Sequence, residues 1–187
     1  FHAQHPDAFL LTAWNNKWLT ADARFDDRHV HGLPENNDIN GWLGQYLPDG
    51  SFLDIGEVPN PMTAAILREA HVGIFPNRCE GGTNLVAMEC MAVGIPVVLA
   101  CNTGHLDLIN PEHCYPLLQQ GPCMDPHTGH HLVDWGESSV DEIVDCLEMI
   151  YTSPSEARRR GMNGSDFIRK YSWQRQCDQL LDLLSIV

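Results

Sequence analysis

Residues 75–103, FPNRCEGGTNLVAMECMAVGIPVVLACNT, decide the fold of this chain. The pattern predicts the end of a strand, a glycine turn, a helix over residues 85–93, a glycine stop and a second strand over residues 97–99. Asn84, directly before the helix, is a residue type that commonly caps a helix N-terminus. We therefore expect a strand–turn–helix–strand unit, which is a building block of parallel sheets.

Glu89 is the one charged residue between Gly81 and Thr103. All its helix neighbours three and four positions away are apolar, so we expect its carboxylate at a packed interior or at a cleft wall. Burying a lone carboxylate is costly unless something satisfies the charge. Either Glu89 bonds backbone amides of a nearby loop, or it accepts hydrogen bonds from ligand hydroxyls. The apolar neighbours are Leu85, Val86, Ala92 and Val93.

The turn before the helix consists of Gly81, Gly82, Thr83 and Asn84, and Glu80 precedes it. A flexible turn at a helix N-terminus presents free N–H groups and the positive end of the helix dipole, which together favour phosphate. A glycine turn before a helix is a common feature and a weak signal by itself. Two glutamates framing it are much less common.

The segment EGGTNLVAMECMAVGIPVVL, residues 80–99, resembles the signature of retaining glycosyltransferases of the GT-B fold, family 4. The usual pattern of that family is Glu-Gly-Phe-Gly-Leu-Val, then Glu-Ala-Met-Ala, then Gly-x-Pro-Val-Val. The resemblance extends upstream to residues 56–77, GEVPNPMTAAILREAHVGIFPN, and downstream to Tyr-Ser-Trp at 171–173. The family normally has seven residues between the glutamates and this chain has eight, so anchoring on LVAME places the extra residue in the glycine turn.

This resemblance implies an α/β fold, with a Rossmann-like parallel sheet flanked by helices, forming the C-terminal half of a GT-B fold with C-terminal helices. Residues 1–187 are expected to be a single nucleotide-sugar-binding domain without the N-terminal acceptor domain. The implied activity is transfer of a hexose, with retention, from a nucleoside diphosphate sugar to a glycan, lipid or other hydroxyl acceptor, as in polysaccharide biosynthesis. The isolated chain is expected to bind nucleotide weakly and to show no turnover. A nucleotide-sugar epimerase or hydrolase and a non-catalytic nucleotide-binding module are the alternatives.

The resemblance also implies roles for individual residues. Glu89 would bind the ribose diol, and Glu80 would act on the donor sugar. No metal or other cofactor is expected. The basic pair with which the family clamps the diphosphate is missing, because nothing basic precedes Lys17. The remaining donor-binding candidates are Gly81, Gly82, Thr83, Asn84 and Leu85 at the turn, and Gly56, Val58 and Asn60 near the base.

Composition narrows the choice of partners. A net charge of −14 over 187 residues argues against nucleic acid and anionic membranes. No apolar run reaches the length of a membrane span, no signal peptide is visible, and the chain begins with Phe, which suggests a fragment or a processed product.

The seven cysteines form no short framework, so we expect a reducing cytoplasm, with attachment at the inner membrane through the missing domain as the alternative. Cys114, Cys123, His127, His130 and His131 lack zinc-finger spacing, and we interpret them as solvated loop residues rather than a zinc site.

The remaining pattern predicts strands at 8–14, near His29, and at 52–55, 72–75 and 114–117. Helices are expected at 38–47, 60–70, 105–109, 138–151, 155–171 and 172–184, with an irregular segment at 119–136. Trp135, Trp173 and Val140 are assigned to the core. Loops that follow parallel strands share one edge of the sheet, so 56–60, 75–84, 102–105, Asn15 and Asn16 should converge on a nucleotide cleft.

Overall fold

The computed structural model describes residues 1–14, 38–125 and 128–185. The chain divides into two compact units, one formed by Phe1–Thr63 with Met124–His131 and the other by Ala64–Cys123 with Leu132–Val187. The strand predicted near His29 and the loop residues Asn15 and Asn16 lie outside the described residues.

The first unit contains a pair of parallel strands, β1 (Leu10–Thr12) and β2 (Phe52–Asp54), in register with Leu10 opposite Phe52. Between them in sequence lies helix α1 (Ile39–Leu43), whose N-cap Asp38 accepts a hydrogen bond from the Gly41 amide. The helix was predicted to continue to residue 47, but it ends at Leu43, because the next amides, of Gln45 and Tyr46, bond the carbonyls three residues back in a tighter turn. Helix α2 (Asn60–Leu67) begins in this unit.

The second unit contains a three-stranded parallel sheet in the order β3 (Gly73–Phe75), β4 (Val97–Ala100) and β5 (Tyr115–Leu117). All four residues of the central strand β4 are buried, as expected for a parallel strand covered on both faces. Helix α3 (Leu85–Ala92) forms the crossover from β3 to β4. The predicted strand–turn–helix–strand unit is therefore confirmed.

Two apolar clusters cover the two faces of this sheet, because successive side chains of a strand point to opposite sides. Val97 and Leu99 belong to one cluster with residues of α3, whereas Val98 belongs to the other with Cys146 and Ile150. Helix α5 (Pro154–Ile168) passes so close to the sheet connection that a Cβ on Gly161 would overlap the carbonyl of Gly94.

The chain ends in helices, as predicted. They are α4 (Val140–Thr152), α5, a short 3-10 helix (Arg169–Tyr171) and α6 (Trp173–Ser185). Helix α6 buries none of its residues. Within the described ranges, no helix combines the length and the hydropathy required to cross a bilayer.

Two predictions about residues 119–173 are wrong. Residues 119–136, expected to be irregular, form strands β6 (Gln120–Met124) and β7 (His131–Ser138), which pair with each other. Glycine and proline do not prevent this, because each strand of a two-stranded sheet is an edge strand. Trp135, Val140 and Trp173 are exposed rather than core residues. Trp173 is 87% exposed because it opens the helix that buries no residue.

Candidate functional site

The glycine turn lies between β3 and α3, in the second unit. Gly81 and Gly82 are exposed, and Asn84 is the N-cap of α3, its side-chain oxygen accepting a 3.0 Å hydrogen bond from the Ala87 amide. Among the described residues, the amides from Gly81 to Thr83 and those of Leu85 and Val86 donate no hydrogen bond. Amides in the first turn of a helix have no partner within the helix, so this segment presents several open donors.

A second segment, after β4, forms hydrogen bonds to the backbone of Glu80, the residue before the glycine turn. The hydroxyl of Thr103 accepts a 2.7 Å hydrogen bond from the Glu80 amide, and the Gly104 amide donates to the Glu80 carbonyl at 3.2 Å. Both residues open the 3-10 helix Thr103–Asp107. Thr103 has φ 37°, in the left-handed region that non-glycine residues rarely adopt. The predicted meeting of 75–84 with 102–105 at the carboxyl edge of the sheet is thus confirmed.

Asn102 joins this segment to the strand pair β6–β7. Its amide nitrogen donates to the carbonyl of Asn77 at 2.9 Å and to the side-chain oxygen of Gln120 at 3.0 Å, and it lies 3.4 Å from the carbonyl of Gly136. Arg78 forms an ion pair with Glu137. These contacts connect the loop after β3 to the end of β4 and to the strand pair.

His105 lies fully buried in the 3-10 helix beside the turn. Its Nδ1 is 3.1 Å from the carbonyl oxygen of Ala100, and its Nε2 is 3.1 Å from the amide nitrogen of Asn84. Burial lowers the pKa of His105 below its ordinary value, opposed by the Ala100 hydrogen bond and by the charge of Glu80. Because Nε2 faces the NH₂ group of Asn84, which can only donate, the hydrogen-bond geometry requires the neutral ring.

Glu89 lies on an open face of α3. It is half-buried, and its neighbours Leu85 and Val86 are 71% and 51% exposed. Of the two environments expected for this carboxylate, a packed interior and a cleft wall, the packed interior is excluded, because the core contacts of α3 come from Ala87, Cys90 and Met91 on the other side. Within the described residues, the Glu89 carboxylate forms no hydrogen bond or ion pair, including none to loop amides.

Glu80 is held by its backbone. Both its amide and its carbonyl are hydrogen bonded to the segment after β4, while its half-buried carboxylate acts on His105 through its charge. The structure therefore brings Glu80, the glycine turn and Glu89 into one unit. It also assigns supporting contacts to Thr103, Gly104 and His105, which the sequence placed at this edge without a role. The signal that could have indicated these contacts was a glycine and a histidine, Gly104 and His105, shortly after the end of a predicted strand.

The candidates for the base contact belong to the first unit. Gly56 has φ 63°, and its amide already donates to the Asp54 carboxylate at 3.1 Å. Val58 is half-buried, and Asn60 is exposed as the first residue of α2. The same Asp54 accepts hydrogen bonds from the Thr12 hydroxyl and the Trp14 amide, so it ties together the ends of β1 and β2. Sequence reasoning missed this role of Asp54.

All seven cysteines are unpaired, and they differ in environment. Burial raises the pKa of the Cys90 thiol to about 12, with a further contribution from the charge of Glu89. Burial likewise raises the pKa of Cys114 and of Cys146 to about 11. Cys177 on α6 is exposed.

The group of cysteines and histidines at 114–131 does not form a solvated loop as a whole. Cys114 and Cys123 are buried, whereas His130 and His131 are exposed. His127 lies outside the described residues. In the part of the chain that the structure describes, no three potential metal ligands come together.

A family described as "Family 4 Glycosyltransferase in conflict systems" matches residues 61–180, well over half of the chain. The chain therefore belongs to that family, and the resemblance inferred from the turn and the helix is confirmed. An MMP alpha-(1->4)-mannosyltransferase of Mycolicibacterium hassiacum is 34% identical over 113 residues, covering 59% of this chain and 23% of that protein.

Two solved structures share the fold. Sucrose-phosphate synthase from Thermosynechococcus elongatus matches with a TM-score of 0.62 and 22% identity, over 81% of this chain and 35% of that one. Anabaena HepE in complex with UDP matches with a TM-score of 0.60 and 15% identity, over 83% and 39%. Both matches extend over more than four fifths of this chain, so the predicted α/β fold is confirmed. The chain spans less than two fifths of the length of each of these relatives.

Proposed function

We propose that this chain is the donor-binding half of a retaining glycosyltransferase, which transfers a sugar from a nucleoside diphosphate sugar to a glycan, lipid or other hydroxyl acceptor. In this proposal residues 1–187 are a single nucleotide-sugar-binding domain, and the acceptor site lies in a further domain. Family membership supports the reaction class. The relative solved with UDP supports a nucleotide donor.

The observation that carries the proposal is the row of open amides at the glycine turn. Gly81, Gly82, Thr83 and the first residues of α3 present N–H groups without partners among the described residues, at the positive end of a helix dipole. The leaving diphosphate gains negative charge as the glycosidic bond breaks, so donors fixed at this position stabilise the transition state more than the bound substrate.

Glu89 supplies the second contact of the proposed site. Its carboxylate is accessible on the face of α3 that begins at Leu85, and a carboxylate accepts hydrogen bonds from two adjacent hydroxyls with its two oxygens. We assign it to the ribose diol. A site that hydrogen bonds a diol discriminates against ligands without one, because its polar atoms are then left unpaired.

Glu80 supplies the contact to the transferred sugar. The backbone bonds of Glu80 to Thr103 and Gly104 fix the start of its side chain at the entrance of the turn. We assign its carboxylate to hydroxyls of the donor sugar, where it orients the anomeric carbon. Oriented amides and the helix dipole stabilise the diphosphate in this proposal, so no metal is required. The unpaired thiols favour a reducing compartment, and we propose the cytoplasm.

The test is a binding screen of UDP-, GDP- and ADP-sugars against the full-length protein, followed by incubation with candidate acceptors. Saturable binding of one donor and acceptor-dependent release of its nucleoside diphosphate are expected. Release of free sugar or of an epimer without acceptor would instead indicate a hydrolase or an epimerase of the same fold. If the protein binds a donor but shows no turnover, and Glu80→Ala leaves that binding unchanged, the protein is a nucleotide-binding module. Residues 1–187 alone are expected to bind nucleotide weakly and to transfer no sugar.

A further inference from the structure

The buried imidazole of His105 connects the end of β4 to the start of α3. The carbonyl oxygen of Ala100 can only accept a hydrogen bond, so Nδ1 of His105 carries a hydrogen atom and donates the hydrogen bond to this oxygen. In a neutral ring the other nitrogen is then an acceptor. Nε2 therefore accepts from the amide nitrogen of Asn84.

Asn84 is consequently fixed at both ends of its amide group. Its nitrogen donates to His105, and its oxygen accepts from the Ala87 amide in the first turn of α3. Rotating the amide by half a turn would place an oxygen against the acceptor Nε2 and an NH₂ group against the Ala87 N–H. Both hydrogen bonds would be lost, so His105 selects the one orientation of Asn84 that caps α3.

His105 is fully buried, so it does not contact a ligand at the surface of the turn. Its own helix nevertheless supports that turn directly. Thr103 and Gly104 bond the backbone of Glu80, and Gly104 packs against Gly82. One segment, residues 103–105, therefore contacts both sides of the open amides, at Glu80 through the backbone and at Asn84 through the imidazole.

Resting on the proposed function, we propose that His105 is a positioning residue for donor binding, which orients the diphosphate-binding amides through its Nε2···Asn84 hydrogen bond. The ring acts as an acceptor only while it is neutral. Protonation would turn Nε2 into a donor facing the donor Nδ2 of Asn84. The charged group that acts on the ring from the turn is Glu80, which favours protonation, whereas burial opposes it.

The test measures UDP, GDP and ADP binding to the full-length protein, with uridine, guanosine and adenosine as matched ligands that lack phosphate. His105→Leu removes the acceptor and is expected to raise the Kd of the bound nucleoside diphosphate about tenfold, as for loss of well-oriented bonds to a charged ligand. The Kd of the matching nucleoside should change less than about twofold, because the base and ribose contacts lie elsewhere. His105→Gln restores an acceptor oxygen near the position of Nε2 and should bind nearly as the wild type does.

Asn84→Ser gives the same information from the other side of the bond, should His105→Leu fail to fold. A serine can still cap α3 but cannot reach His105, so diphosphate binding should weaken as in His105→Leu. The double variant should lose little more than either single variant, because both remove one hydrogen bond.

The proposal is overturned if a folded His105→Leu or Asn84→Ser variant binds the nucleoside diphosphate as the wild type does. It is equally overturned if nucleoside and nucleoside diphosphate weaken together, or if the two losses add in the double variant. A wild-type protein that binds no nucleoside diphosphate overturns the proposed function itself. If the wild type binds a nucleoside diphosphate and the His105 variants bind it equally well, only the role of His105 is overturned.

Discussion

Gly104 packs directly against Gly82, so that a Cβ on Gly104 would overlap the carbonyl oxygen of Gly82. This contact joins the segment after β4 to the glycine turn before α3, and it leaves no space for a side chain at position 104. The obstacle is backbone rather than a flexible side chain, so the turn has to move if position 104 is enlarged.

Gly104→Ala should therefore destabilise the protein by about 1–3 kcal/mol, as overpacking of a close contact does. It should also weaken nucleoside diphosphate binding, because the displaced turn no longer presents its amides together. Urea unfolding and calorimetric titration measure the two effects. Gly121→Ala is the matched control, since a Cβ there would meet its nearest atom at an ordinary 3.6 Å. Equal stability and binding for the two variants would contradict the predicted role of the contact.

Glu89→Gln should weaken donor binding by about 1–3 kcal/mol, because it removes charged hydrogen bonds to the ribose diol. Its effect on the free energy of unfolding should be small, since the carboxylate forms no bond among the described residues. Titration with the donor that binds best, beside thermal unfolding, separates the two quantities. The control Glu69→Gln removes one negative charge at an exposed position of the same unit. If both variants weaken binding equally, the effect is one of net charge and Glu89 has no direct contact.

Asn84→Ala should lower the unfolding free energy by about 0.5–2 kcal/mol, the usual cost of a lost N-cap. Ser139→Ala removes the corresponding cap from α4, where the serine oxygen accepts from the Glu142 amide at 3.4 Å. Both should destabilise the fold, but Asn84→Ala alone should also weaken nucleoside diphosphate binding. A binding loss in Ser139→Ala as large as in Asn84→Ala would show that binding follows general stability.

Stability should fall as the pH is lowered below 6.5. Burial lowers the pKa of His105 and of His113 from the ordinary 6.5, so the unfolded chain takes up protons that the folded chain does not. The contribution is complete above pH 6.5 and is lost as the pH falls from there toward the lowered values. Each ring contributes a slope of at most about 1.4 kcal/mol per pH unit.

Urea unfolding between pH 7 and about pH 5, above the range in which most carboxylates titrate, measures this slope. Either His105→Gln or His113→Gln should flatten it, with His71→Gln at an exposed position as the control. A slope that neither of the two variants changes would contradict the prediction.

Arg160→Ala should destabilise the second unit by about 1–3 kcal/mol, because it removes several contacts at once. The guanidinium donates to Glu156 and to the Cys114 carbonyl, and it lies 4.3 Å from the centre of the Tyr115 ring. The neighbouring Arg159 pairs with Glu156 and Glu112 at the exposed surface, and Arg159→Ala should cost less than about 1 kcal/mol. Denaturant unfolding of both variants checks the order, which the prediction requires to be Arg160 above Arg159.

The sequence predicted most of the helices and strands because their apolar spacing and their caps are local features. Asn84 illustrates this, since its position before an apolar helix was sufficient to identify it as a cap. The strands β6 and β7 were missed because Gly121 and Pro122 resemble loop residues, and only pairing with a partner strand makes them extended structure. For Glu89 the spacing left a packed interior and a cleft wall both open, because it shows which residues share a helix face but not which face the sheet covers.

The long-range bonds of the site were beyond prediction for a related reason. His105 and Asn84 are separated by 21 residues, and nothing in either segment specifies that imidazole and amide meet. The sequence placed both segments at the same edge of the sheet by the general rule for parallel strands. The individual hydrogen bonds depend on the tilt of the 3-10 helix and the conformation of Thr103.

The seven thiols differ in exposure, so their reaction with a labelling reagent reports which part of the chain has opened. Maleimide reacts with thiolate, so a dye added near neutral pH should attach first to Cys177 on α6. Cys90, Cys114 and Cys146 should remain silent until the sheet opens. Mass spectrometry would then compare the rate at which the buried cysteines are alkylated, which follows opening of the core, with the rate for Cys177 on α6, without any engineered probe.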